Sequence, residues 1–268
     1  MTYWERRVDQ VRKAVEGWQK RLLGPDTPEP QSSLAADDAA YPSMPCSQLA
    51  WWGMSVGVEH ADATLRLLQA QVANGGPIFP AANFTVLRAA LVGSAQSIVL
   101  LAPRRREERT SYGLQIAHEE YRQLLNLRKR VLAHPGLVPA AREAATGKDH
   151  LTRSTTKLAE IASLLDGRGV PKRLTDTSMI ERAAALVHAD PTDADLLRSS
   201  VEMEWALGSG AAHGRLLMTM QRPSSFRTEG GDTALLGSTY EEVAMPIIGV
   251  FLMLNEAWRL WDLRRRAG

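Results

Sequence analysis

Apolar residues recur every three or four positions along most of this chain and no run of strict alternation interrupts them, so the pattern predicts helices and no sheet. Trp4, Val8, Val11, Val15, Trp18 and Leu22 define a first amphipathic helix, closed by Gly24 and Pro25. Residues 24–46 then carry Pro25, Pro28, Pro30, Pro42 and Pro45 among Ser and Asp, which predicts a linker or surface loop with partial disorder. A second helix is expected over residues 47–74 on the stripe Val58, Ala61, Leu65, Leu68 and Val72, ended by Gly75-Gly76-Pro77. The third, over residues 80–102, is apolar nearly all round and should be the most buried. Arg104-Arg105-Arg106 follow it, where positive charge suits the carbonyl end of a helix.

The same periodicity predicts a helix over residues 106–134 that buries Leu114, Tyr121, Leu125 and Leu132, and one over residues 139–166 that uses Leu151, Leu158, Ile161 and Leu165. Ser178 with Glu181 reads as a capping box opening a short helix to His188. A further helix starts after Pro191 and carries Leu196, Met203 and Leu207. After a Ser/Gly/Thr-rich loop over residues 222–238, Ser238 and Glu241 are expected to cap the last helix, with Val243, Ile247, Val250, Leu254 and Trp261 inside. No solenoid period is present. The reading is all-α: an up-and-down helical bundle of about seven to eight helices. Residues 1–23 form an N-terminal helix, 24–46 a Pro-rich linker, and 47–268 the bundle domain.

Composition narrows the function classes. Hydrophobic residues are 44% and charged residues 23% of 268, the balance of a folded chain rather than a disordered one. A net charge of +2 is too mild to argue for nucleic acid by itself. Cys46 is the single cysteine, which rules out a disulfide within the chain and a cysteine-based zinc site. Met1 to Gln10 lack the apolar core of a signal peptide, and the charge-free run Ala89–Ala102 is too short to cross a bilayer. The expectation is a cytoplasmic protein with no membrane partner. His118-Glu119-Glu120 is followed by Tyr121 and Arg122, so no His-Glu-x-x-His zinc motif forms, and phosphate loops and dinucleotide fingerprints are absent. No metal and no cofactor are expected.

The densest chemistry lies in Trp205-Ala206-Leu207-Gly208-Ser209-Gly210-Ala211-Ala212-His213-Gly214-Arg215. Ser209 and His213 stand four residues apart and share a helix face with Glu202. The small residues admit a close approach, either of another helix, with His213 satisfied by a neighbour, or of a ligand. Arg88 sits among apolar residues of the third predicted helix. A guanidinium cannot be neutralised by burial, so it needs either an internal carboxylate such as Glu59 or Glu202, or a bound anion. His60, beside Glu59, borders the core stripe of its helix, His118 falls between core positions, and His150 reads as solvent-facing. The basic clusters 104–109 and 264–266 read as solvated faces or dipole partners, with no interleaved aromatics for base stacking.

Glu59-His60, Leu87-Arg88-Ala89-Ala90 and Ser209-Gly210-Ala211-Ala212-His213-Gly214 together, in an all-helical chain, resemble largely uncharacterised bacterial and phage proteins related to the HEPN superfamily, over roughly residues 50–260. That resemblance implies a helical bundle, often dimeric, acting as a metal-independent RNase in toxin–antitoxin or phage-defence systems, or as a catalytically dead binding module. RNA, an antitoxin or other protein, and a second copy are the partners it implies. The family's RNase motif is an Arg followed by a His near a helix end. Here Ala206, Leu207 and Gly208 occupy the places for that Arg. The pairs Arg128/His134 and Arg182/His188 match the spacing, as chance provides in a chain where arginine is 26 of 268 residues. The resemblance therefore implies His213 or His60 as base, Arg88 in place of the motif arginine, Ser209 as orienting hydroxyl, and Arg88 with Arg215 as RNA or anion contacts. The alternative is a non-enzymatic helical interaction protein in which His213 and Arg88 stabilise helix crossings.

Overall fold

The structure, a computed structural model, describes residues 1–24, 26–75, 78–134, 150–187, 191–221, 226–227, 234–235 and 237–267, without the side chains of 191–197, 226–227 and 234–235. In chain order the elements are α1 (Tyr3–Leu22), α2 (Ser33–Asp38), α3 (Cys46–Ala73), α4 (Pro80–Leu101), α5 (Arg106–Ala133), α6 (His150–Gly167), α7 (Asp176–Leu186), α8 (Pro191–Ala212), α9 (Leu216–Thr219), β1 (Phe226–Arg227), β2 (Ala234–Leu235) and α10 (Tyr240–Arg265). The fold is an all-α helical bundle. Ten helices occur among the described residues, more than the seven to eight expected, because α2 and α9 are too short to give a periodic signal. The two strands pair antiparallel over two residues each.

Helix α4 is the axis of the bundle. Phe84, Leu87, Leu91, Ile98, Leu100 and Leu101 are all buried, and α3, α5, α7, α8 and α10 surround it. Both α4 and α10 are long and apolar enough to cross a membrane by length and composition, yet 67% and 61% of their apolar windows are covered inside this fold. The α3–α4 crossing is close because it is built from glycines. A Cβ on Gly93 would stand 2.5 Å from the Gly53 carbonyl oxygen and 2.9 Å from the Gly57 nitrogen. Polar side chains fasten the same crossing: Ser97 donates to the Ala50 carbonyl at 2.8 Å and Gln96 to the Leu49 carbonyl at 2.9 Å. Helix α1 lays Val8, Val11 and Val15 onto the bundle, and Trp18 stacks on Phe251 and Trp258 of α10.

Several sequence expectations are corrected. Residues 24–46 are not a plain linker: they contain α2, the Asp26 side chain is 8% exposed between Arg21 and Arg265, and Asp37 is fully buried against Arg109. Polar residues fold here because each buried carboxylate has a guanidinium partner. The caps lie slightly off the predicted places, with Thr175 rather than Ser178 opening α7, and Thr239 with Glu242, rather than Ser238 with Glu241, opening α10. The Leu101 carbonyl that ends α4 is met by Arg264, distant in sequence, rather than by Arg104–Arg106; just beyond the helix, Arg264 and Arg109 both donate to the Pro103 oxygen and Arg109 also to the Arg104 oxygen. Val72, Leu132 and Met203, predicted as core, are exposed. Residues 139–149 and 188, and most of the predicted 222–238 loop, lie outside the described residues.

Candidate functional site

The small-residue segment at the end of α8 divides into positions with separate structural causes. A Cβ on Gly208 would meet the Phe84 carbonyl at 3.2 Å and the Arg88 Cβ at 3.6 Å, so this glycine sets α8 against α4. A Cβ on Gly210 would collide with Met218, 2.5 Å away, where the chain returns through α9. Gly214 adopts φ +63° and ends α8: its N–H donates to the Ala211 oxygen, and the Arg215 N–H to the Gly210 oxygen at 2.8 Å, a Schellman closure. Ser209 thus stands in the last turn of a firmly terminated helix and His213 directly after it.

Trp205 is the pivot that sequence reading missed. Its indole N–H donates to Thr177 Oγ1 at 3.1 Å, and its ring carries the Arg88 guanidinium at 4.5 Å from the centroid. Arg88 also lies 3.5 Å from the Asp176 carboxylate. Helices α4, α7 and α8 therefore meet through one cation–aromatic–hydroxyl chain. Arg88 pairs internally, as one expectation held, but with Asp176 rather than Glu59 or Glu202. Its only advance signal was a tryptophan beside a glycine-rich turn, which periodicity alone assigns to packing.

Two depressions lie along α8. The first, about 870 Å³ including open solvent, is lined by Glu181 of α7, by Glu202 and Ser209 of α8, by His213 directly after that helix, and by Arg215. Ser209 is half-buried, while His213 and Arg215 are exposed. The expected face of Glu202, Ser209 and His213 is thus formed. Glu202 is paired with Arg198 at 3.0 Å. An imidazole, a hydroxyl and a guanidinium here can accept a proton, orient a group and contact an anion, with carboxylates beside them.

The second depression, about 500 Å³ of space that includes open solvent, lies between α4, α8 and α10; Arg88 lines it together with Phe84, Leu91, Met203, Met245 and Gly249. Arg88 lines this second depression, whereas Ser209, His213 and Arg215 line the first. His60 lines neither: its Nδ1 is 2.9 Å from the Val56 carbonyl of its own helix, and Glu59 is exposed. Trp205, which carries the Arg88 guanidinium on its ring, itself lines the first depression beside Ser209 and His213.

The remaining histidines are accounted for locally. His118 is half-buried, not fully packed, and loss of hydration lowers its pKa. His134 bonds the Arg130 carbonyl at the end of α5, and His150 opens α6 with its carbonyl held by Arg128. Arg182 pairs with Glu108, and its spacing partner His188 lies outside the described residues. Among the described residues no group of three or more His, Cys, Asp or Glu is placed to hold a metal ion. The basic cluster 104–106 is exposed, whereas Arg109, in the same run, is 4% exposed and bonded to Asp37. Compared with known proteins, the chain matches no family model, no curated protein and no solved structure.

Proposed function

We propose that this chain is a non-enzymatic helical interaction protein, HEPN-like in its motifs, in which Arg88 holds helices together and the end of α8 meets a protein partner. The observation that carries this reading is the position of Arg88, laid on the Trp205 face and against Asp176, and lining a depression other than that of His213. In that position Arg88 is engaged by Trp205 and Asp176, which supports a structural role for it and leaves Arg215 as the cation lining the depression of His213. Protein contact is supported by α9, where Leu216 and Leu217 are 56% and 73% exposed next to Arg215.

A second reading, metal-independent RNA cleavage, is favoured by one arrangement: Ser209, His213 and Arg215 share a single open depression. A single-stranded fluorescent RNA incubated with the protein in a metal chelator separates the two. The interaction reading expects no cleavage, a melting temperature for His213→Ala within about a degree of the parent, and an Arg88→Ala loss of about 1–3 kcal/mol from its half-buried ring and ion-pair contacts. RNA cleavage that vanishes in His213→Ala overturns it in favour of the nuclease.

A further inference from the structure

The depression at the end of α8 is acidic at one end and basic at the other. Leu186 and Pro191 are too close in sequence for α8 to run parallel to α7, so the two helices lie antiparallel, with Trp205 level with Thr177 through their hydrogen bond. Glu181, one turn beyond Thr177 on α7, therefore stands beside Glu202. Along α8 the helical rise puts Gly210 about 12 Å and His213 about 16 Å from Glu202. The chain then turns back, and the Arg215 Cβ lies 3.9 Å from where a Cβ on Gly210 would stand. Between the two ends lie Trp205 and Ala206, with Met218 against Gly210. The cavity volume, about 440 Å³, lies within the range of binding sites.

The charges at these ends are not spent within the fold. Glu202 is paired with Arg198, but among the described residues neither Glu181 nor Arg215 has an ion-pair partner, and both are exposed. An occupant complements both ends only if it carries a cation and an anion with an apolar body between them. A phosphate chain running the length of the depression would bring negative charge onto Glu181 and Glu202. An extended peptide covers about 12 to 16 Å in roughly four to five residues. Exposed Leu216 and Leu217 continue the apolar surface past the Arg215 end. We infer that this depression binds an extended segment of a partner protein. The segment presents a carboxylate to His213 and Arg215, an apolar side chain to Trp205, Ala206 and Met218, and a basic side chain to Glu181. The inference rests on the protein-binding reading of the α8 end and adds the chemistry of the partner.

Five-residue peptides blocked at both ends test it, with an aspartate at one end, a leucine at the centre, a lysine at the other end and glycine between, made in both orders. Calorimetry and the indole ¹⁵N–H signals of the tryptophans follow binding. One order should bind saturably and shift the Trp205 indole while leaving that of the core residue Trp261 unmoved. Exchanging its aspartate for asparagine, or its lysine for glutamine, should weaken binding at least threefold. Arg215→Gln should erase the effect of the first exchange and keep that of the second, and Glu181→Gln should do the reverse. The peptide exchanges on the unaltered protein decide the matter if a variant does not fold. No saturable binding in either order, an unmoved Trp205 indole, or neutral peptides that bind as tightly as the charged one would overturn the inference. RNA cleavage in the assay above would overturn the protein-binding reading itself, whereas peptide failure in a chain that leaves RNA intact overturns this inference alone.

Discussion

Removing Asp37 should cost this protein far more than a carboxylate in a proline-rich stretch normally would. Its side chain is fully buried and Arg109 is 4% exposed. Arg109 makes four hydrogen bonds, two to Asp37 at 2.6 and 2.9 Å and one each to the Pro103 and Arg104 carbonyls at 2.9 and 3.0 Å. In Asp37→Ala the two carbonyl bonds survive but the guanidinium keeps a buried charge with its counterion gone, for which about 3–5 kcal/mol is the usual penalty. Arg106, 3.6 Å from Asp37 and more than half exposed, adds little to the balance. Arg109→Met should cost a similar amount through the stranded carboxylate. The double variant Asp37→Ala/Arg109→Met removes both charges, and Arg264 still serves the Pro103 carbonyl at 3.1 Å. It should therefore be more stable than the sum of the single losses implies, by about 2 kcal/mol or more. Urea unfolding followed by far-ultraviolet circular dichroism gives all three values. A loss below about 1 kcal/mol in Asp37→Ala, or additive single variants, would refute a buried, coupled pair.

Other expectations follow from the same geometry. Gly93→Ala places a methyl against two backbone atoms of α3, so despite the helix preference for alanine it should destabilise by about 1–3 kcal/mol. Gly57→Ala meets the flexible end of Leu254 and should cost less, and a stabilised Gly93→Ala in thermal melts would deny the close crossing. Burial pushes the Cys46 thiol from 9.0 up to about 12, so the native state holds a proton that the unfolded chain releases. Stability should therefore fall as pH rises above about 9, by roughly 1.4 kcal/mol per unit until the folded thiol ionises. Burial likewise pushes the Tyr41 phenol up to about 12, adding to the alkaline loss above pH 10. Cys46→Ala should flatten the slope of urea midpoint against pH between 9 and 10, and an unchanged slope would count against a buried thiol.

How far the sequence reached depends on what each residue needed in order to be read. The apolar stripe of α4 is a local property, and its burial was legible from spacing alone. Val72 and Met203 continue their stripes in register yet face solvent, because periodicity names a face without saying how far a neighbouring helix extends along it. Asp37 was unreadable for the opposite reason: its partner stands 72 residues away in a run of arginines and glutamates that resembles an ordinary solvated surface. Ser209, His213 and Glu202 came together because their relation lies within one helix. Arg88 was correctly singled out as a cation in apolar company, but its destination depended on the rotation of α7 and α8 about Trp205, which no spacing records.

Arg264 closes the carbonyl end of α4 across 163 residues of chain. In a polypeptide made from its N-terminus, α4 is synthesised long before the helix that covers it. For that interval a segment apolar on nearly all sides lacks α10 along its flank and the guanidinium at its end, the condition in which partly folded chains associate with one another. The hazardous period for this protein is therefore its own translation. Chaperone occupancy of ribosome-bound chains should persist until the Trp258–Arg264 turn emerges, and changes that slow elongation through residues 240–265 should reduce yield while leaving the equilibrium stability of the finished protein unchanged.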